Sequence, residues 1–113
     1  VAVGGTTGTA LVVELTADGI NDITPADADQ LVGVWLAESG DITSVGMGGD
    51  VWYREGDTWR QDTSAPAISD DYHAVYVDPE GGIWAVGGYF ASPPQHDGVL
   101  TYHGTHAVSG ELP

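Results

Sequence analysis

The chain has 113 residues, 17 of them acidic and only two basic, Arg54 and Arg60; lysine and cysteine are absent and the formal net charge is −15. Phosphate recognition needs Lys and Arg to displace counterions, so the charge argues strongly against nucleic acid as a partner and disfavours anionic membrane surfaces. No apolar run reaches the roughly 20 residues of a membrane-spanning helix, which excludes membrane insertion by that route, and no thiol is present to staple a core or hold a metal.

The length fits one ordinary domain with a modest core. An acidic surface is the expected means of keeping a β-rich chain in solution. The chain opens on Val1 without a signal peptide, so it is expected to be a processed chain or a piece of a longer one.

Val1 to Gly5 reads as a short strand ending on a Gly-Gly turn, and Ala10 to Leu15 as the next, closed by the turn signal Asp18-Gly19. The span 20–30, interrupted by Pro25, carries little periodicity. It is either an irregular outer strand with a loop or, at Pro25 to Asp29, half a turn of helix.

A second unit is written more clearly. Leu31 to Ala37 is a nearly all-apolar strand, Glu38 to Asp41 a turn, Ile42 to Val45 a strand ended by Gly46-Met47-Gly48-Gly49, Asp50 to Glu55 a third strand, and Thr58 to Gln61 a fourth after the Gly56-Asp57 turn. A third unit repeats this order, with Tyr72 to Val77, the turn Asp78 to Gly81, and Ile83 to Phe90.

The recurrence is arithmetical. Ile83 lies 41 positions after Ile42, Tyr76 lies 41 after Trp35, and Val45 lies 42 after Val3. Beyond Tyr89 the register jumps: pairing Val51-Trp52 with Val99-Leu100, and Gly56 with Gly104, gives an offset of 48 and places a seven-residue insertion within Tyr89 to Asp97.

Four short antiparallel strands in about 40 residues is the unit length of a propeller blade, whereas a sandwich predicts alternation without this period. The expectation is therefore an all-β fold, a β-propeller fragment of about two and three-quarter four-stranded blades. Residues 1–30 form a partial blade lacking its inner strand, 31–69 a complete blade, and 70–113 a complete or nearly complete blade with an inserted loop at 89–97. The inner strands should be buried on both faces, with Trp35 and Tyr76 filling the gaps between neighbouring blades. Closed propellers have four to eight blades, so further blades are expected from the same protein, another chain or copies of this one.

His73-Ala74-Val75-Tyr76-Val77, the turn, Ile83-Trp84-Ala85-Val86-Gly87 and Val99-Leu100-Thr101-Tyr102-His103-Gly104 together resemble the repeats of large extracellular bacterial propellers. These are related to photosystem II assembly-factor (YCF48-like) blades and more distantly to the Asp-box repeats of sialidases. The resemblance covers residues 31–107. It implies an extracellular or cell-surface module, non-enzymatic, that binds a protein or glycan or scaffolds a surface assembly. The alternative is a structural subunit completing a multichain propeller or filament, ahead of a glycoside hydrolase fragment. Gly56-Asp57-Thr58-Trp59 looks like the second half of an Asp box, but Trp52 and Arg54 stand where its Ser and Asp would be. Sialidase chemistry wants three arginines, and this chain has two.

No nucleophile motif, phosphate loop or paired-carboxylate signature is present, and no cofactor is implied. The insertion carries the strongest ligand signal: Tyr89, Phe90, His96 and Asp97, with stiff prolines between, would suit a glycan or a partner protein. Asp18, Asn21 and Asp22 offer the hard oxygen donors that calcium takes, without the alternating acidic order of a dedicated loop. His103 and His106 with His96 and Asp97 are a further metal-ligating set, although a spacing of three across the Gly104 turn does not by itself bring two rings to one ion.

Overall fold

A computed structural model of the protein describes residues 1–63, 68–89 and 98–104. The chain is all-β there, with ten strands in three antiparallel sheets that follow one another along the sequence. The first sheet is β1 (Ala2–Thr6), β2 (Thr9–Thr16) and β3 (Gly19–Asp22). The second is β4 (Leu31–Leu36), β5 (Ile42–Gly46), β6 (Val51–Glu55) and β7 (Thr58–Gln61). The third is β8 (Tyr72–Val77), β9 (Ile83–Gly87) and β10 (Val99–His103). Every sheet is a meander: each strand pairs antiparallel with its neighbour in the chain, as the short connections rich in Gly and Asp favour everywhere but between β9 and β10, where residues 88–98 intervene. No helix forms over Pro25 to Asp29.

The sequence repeat is a structural repeat. Leu31 pairs with Gly46, the register shifts before Gly33, and Gly33 to Leu36 then pair with Val45 to Ile42. One repeat later Tyr72 pairs with Gly87, the register shifts before Ala74, and Ala74 to Val77 pair with Val86 to Ile83. A bulge leaves one residue unpaired and bends its strand, so its recurrence at one position gives β4 and β8 the same local bend.

The turns repeat as well. The Ala37 N–H donates to Asp41 O (2.9 Å) and Gly40 N–H to Ala37 O (3.0 Å); Asp78 N–H donates to Gly82 O (2.9 Å) and Gly81 N–H to Asp78 O (2.9 Å). So does a clasp between sheets: Gly8 N–H donates to the Asp29 carboxylate (2.5 Å) and Gly48 N–H to that of Asp71 (2.8 Å).

Strand pairing corrects one part of the sequence alignment. Ile42 opposes Arg54 on β6, and Ile83 opposes His103 on β10, so His103 is the counterpart of Arg54 at an offset of 49 rather than 48. One extra residue matters because side chains alternate faces. Thr101, not Leu100, is the counterpart of Trp52, and Tyr102 is that of Tyr53.

The sheets stack face to face in chain order. Ala10 and Val12 of the first meet Leu31 and Trp52 of the second, with Ala28 between and Val3, Ile23 and Trp59 at the margin. The opposite face of the second sheet, Val45 and Val51, meets Tyr72 and Ala85 of the third, flanked by Ile68, Val75 and Val99. The strand β1 lies against β4 as β5 lies against β8. Trp59 stitches the first interface by donating its indole N–H to Ile23 O (2.5 Å).

The two outermost faces are uncovered among the described residues. On β2, Leu11, Val13 and Leu15 alternate away from buried Val12, and Leu15 opposes Ile20; Leu15 and Ile20 are 74% and 71% exposed. On the far side Trp84, Val86 and Leu100 alternate away from Ala85 and Thr101, and Val86 is exposed. Burial of the inner strand on both faces holds on β4 only at Leu31 and Gly33, since Val32 and Leu36 are exposed. It does not hold on β8, where His73, Ala74 and Tyr76 are exposed and no described sheet packs beyond.

Candidate functional site

The β4–β5 and β8–β9 turns lie at one end of the second and third sheets, and the two clefts described below flank them. Both turns follow an apolar inner strand whose last aromatic, Trp35 or Tyr76, sits just before the chain reverses. The repeat brings these rings together edge to face, centroids 4.9 Å apart and planes at 87°. They wall a groove of about 530 Å³, lined also by Leu36, Ala37, Glu38, Val77, Asp78 and Pro79.

Asp78, which lines this groove, ties its own turn together. Its Oδ1 accepts N–H bonds from Glu80 (3.1 Å) and Gly82 (2.7 Å), and its Oδ2 accepts the Trp84 indole N–H (3.0 Å). A carboxylate with three donors is committed to structure. Glu38 lines the groove and is exposed, so it is the groove's solvent-facing acid.

A second cleft of about 400 Å³ lies on the other side of the β8–β9 turn, between the same two sheets, lined by Tyr53, Arg60, Asp62, Gly81, Ile83, His103 and Gly104. Arg60 stacks its guanidinium 4.8 Å above the Tyr53 ring centroid. Burial, followed by the Asp41 and Glu55 carboxylates, pushes the Tyr53 phenol above its ordinary range, against the smaller lowering by Arg60. His103 Nε2 lies 3.0 Å from Asp62 Oδ2 and ties β10 to the end of β7. Chemically the rim offers aromatic faces, fixed carboxylates, one stacked cation and an imidazole.

Tyr89 is half-buried just beyond β9, whereas Phe90, His96 and Asp97 lie outside the described residues, as does His106. The oxygen donors of the β2–β3 hairpin are not brought to a common point. Asp18 is in the turn, Asn21 opposes Glu14 and Asp22 opposes Val13, so the two neighbours on β3 face opposite sides. Asp22 is occupied with Thr24, accepting its N–H (3.0 Å) and its hydroxyl (2.5 Å), and these bonds hold its carboxyl below the usual range. Among the described residues no group of three or more His, Asp or Glu side chains is arranged to hold a metal ion.

Sequence reasoning placed Trp35 and Tyr76 in the gaps between neighbouring sheets; the Trp35 ring meets Tyr76 of the third sheet, whereas Tyr76 shares that sheet's outer face with Trp84, beyond which no described sheet packs, and the groove that the two rings wall was not anticipated. The available signal was their shared position immediately before a turn. No protein-family model, curated protein or solved structure matches this chain.

Proposed function

We propose that the chain is a run of about two and three-quarter β-propeller blades, part of a non-enzymatic extracellular module that binds proteins or glycans or scaffolds a surface assembly. One observation carries the blade reading: the bulge, the turn bonds and the inter-sheet clasp recur from one unit to the next, and successive units stack face to face. Extracellular placement and the binding role rest on the resemblance of residues 31–107 to bacterial propeller repeats.

A second reading, a structural subunit that completes a multichain propeller or filament, is favoured by the uncovered apolar faces at Leu11, Leu15 and Ile20 and at Val86. Such faces are an aggregation hazard unless a further sheet covers them. The neighbours would be further blades of the same protein, of another chain or of copies.

The mass of the isolated chain by sedimentation tests the shared premise. Self-association, or a monomer stabilised only by added blades, supports it; a monodisperse, cooperatively unfolding monomer overturns it. Glycan-array binding lost on Tyr89→Ala or His96→Ala favours the binding module, and a stable multichain assembly without ligand favours the structural subunit. Turnover of a glycoside overturns the non-enzymatic assignment.

A further inference from the structure

We infer that the groove between the β4–β5 and β8–β9 turns is a binding site for a small quaternary ammonium compound, held by Trp35, Tyr76 and Glu38. Both walls come from β4 and β8, so the inference goes beyond the proposed assembly; it rests on that assembly leaving the groove open where a further sheet packs on the outer face that Tyr76 shares with Trp84.

A methylated ammonium is bulky, apolar at its surface and positively charged, and it has no N–H to donate. Its complement is therefore a corner of electron-rich rings with a nearby anion, not a set of directional acceptors. The rings of Trp35 and Tyr76, at 87° with centroids 4.9 Å apart, form two sides of such a corner, and Tyr76 remains 45% exposed. Glu38, which lines the groove and is exposed, supplies the anion. Among the described residues no cationic side chain lines the groove, and a chain of net charge −15 raises the local concentration of cations.

The same lining argues against a sugar in this groove. A pyranose ring needs hydrogen-bond donors as well as acceptors around its hydroxyls. The charged side chains here are two carboxylates, of which Asp78 is already engaged by three donors, and no Arg, Lys or His lines the groove among the described residues. A volume of about 530 Å³ admits a small cation.

The test is a titration with choline chloride at low ionic strength, read by calorimetry and by the indole N–H resonances of the four tryptophans. Saturable binding with the largest shift at the Trp35 indole is expected. The neutral isostere 3,3-dimethyl-1-butanol should bind about tenfold more weakly, since it keeps the shape and loses the charge. Tyr76→Leu should weaken choline about tenfold, Tyr76→Phe should retain it, and Glu38→Gln should weaken it about threefold and flatten its salt dependence. Absence of saturable binding, equal affinity for the neutral alcohol, or shifts centred on another tryptophan overturns the inference. All three of these readouts use the unaltered protein, so a variant that fails to fold does not shield it.

Discussion

Gly33 and Ala74 occupy the same position of the repeat and lie against each other across the second and third sheets. A β-carbon on Gly33 would stand 2.9 Å from Ala74 Cα and 3.0 Å from Val45 Cγ2. Backbone cannot swing aside as a flexible side chain can, so the absence of a side chain at Gly33 sets how closely β4 approaches β8. That approach places Trp35 against Tyr76 two positions further along each strand.

Gly33→Ala is accordingly expected to destabilise the protein by about 1–3 kcal/mol, the ordinary consequence of overpacking. Gly33→Val should do more damage. Urea denaturation measures both, and an unchanged midpoint for Gly33→Ala would show that the sheets have room to separate.

Gly46 and Gly87 form a second equivalent pair. A β-carbon on either would collide with the carbonyl oxygen of the residue before the inner strand, Gln30 or Asp71. Those oxygens also accept the N–H of Met47 (3.0 Å) and Gly88 (2.9 Å). Gly46 has an extended φ of −165°, so the objection to a side chain there is steric. Alanine at either position should cost about 2 kcal/mol or more, with losses of similar size, as thermal unfolding of the two variants would show. A large loss at one and none at the other would contradict their equivalence.

Asp78→Ala removes the acceptor of three hydrogen bonds and leaves the Gly82 N–H and the Trp84 indole without it. A loss of about 2 kcal/mol is expected, and Asp78→Asn, which keeps one acceptor oxygen, should fall between alanine and the native residue. The Trp84 indole N–H resonance should move in both variants. If it stays in place, the Asp78 to Trp84 bond is not formed in solution.

Asp22 carries a pH prediction. Its folded-state pKa is lowered chiefly by the Thr24 hydroxyl and then by the Thr24 N–H. A depressed carboxyl pKa contributes stability that is complete above the unfolded value, about 3.9, and is lost as pH falls through the lower folded value. The contribution is small because the carboxylate is exposed. Thr24→Val should move the Asp22 titration upward in a carbonyl-detected NMR experiment; an unmoved titration would remove the hydroxyl as the cause.

Much of the architecture was legible because a repeat writes its physics more than once. A strand bounded by Gly-rich turns and recurring at a fixed interval requires several like sheets, and Trp35 and Tyr76 announced themselves as equivalent. Legibility ended where chain length varies without changing the strands. Matching Gly56 with Gly104 gave an attractive offset of 48, yet cross-strand hydrogen bonding chose 49, because alternation leaves only one register that turns Thr101 toward Tyr72.

The amino-acid order alone determined the all-β class, the strand-and-turn rhythm and the charge argument against polyanionic partners, since these follow from local propensity, period and composition. The tertiary structure decided what touches what: the stacking of three sheets, the outer faces left bare among the described residues, and the groove between two equivalent turns of successive units. Distances between separate sheets depend on backbone approach, here limited by a missing β-carbon at Gly33, and no local pattern in the chain encodes that approach.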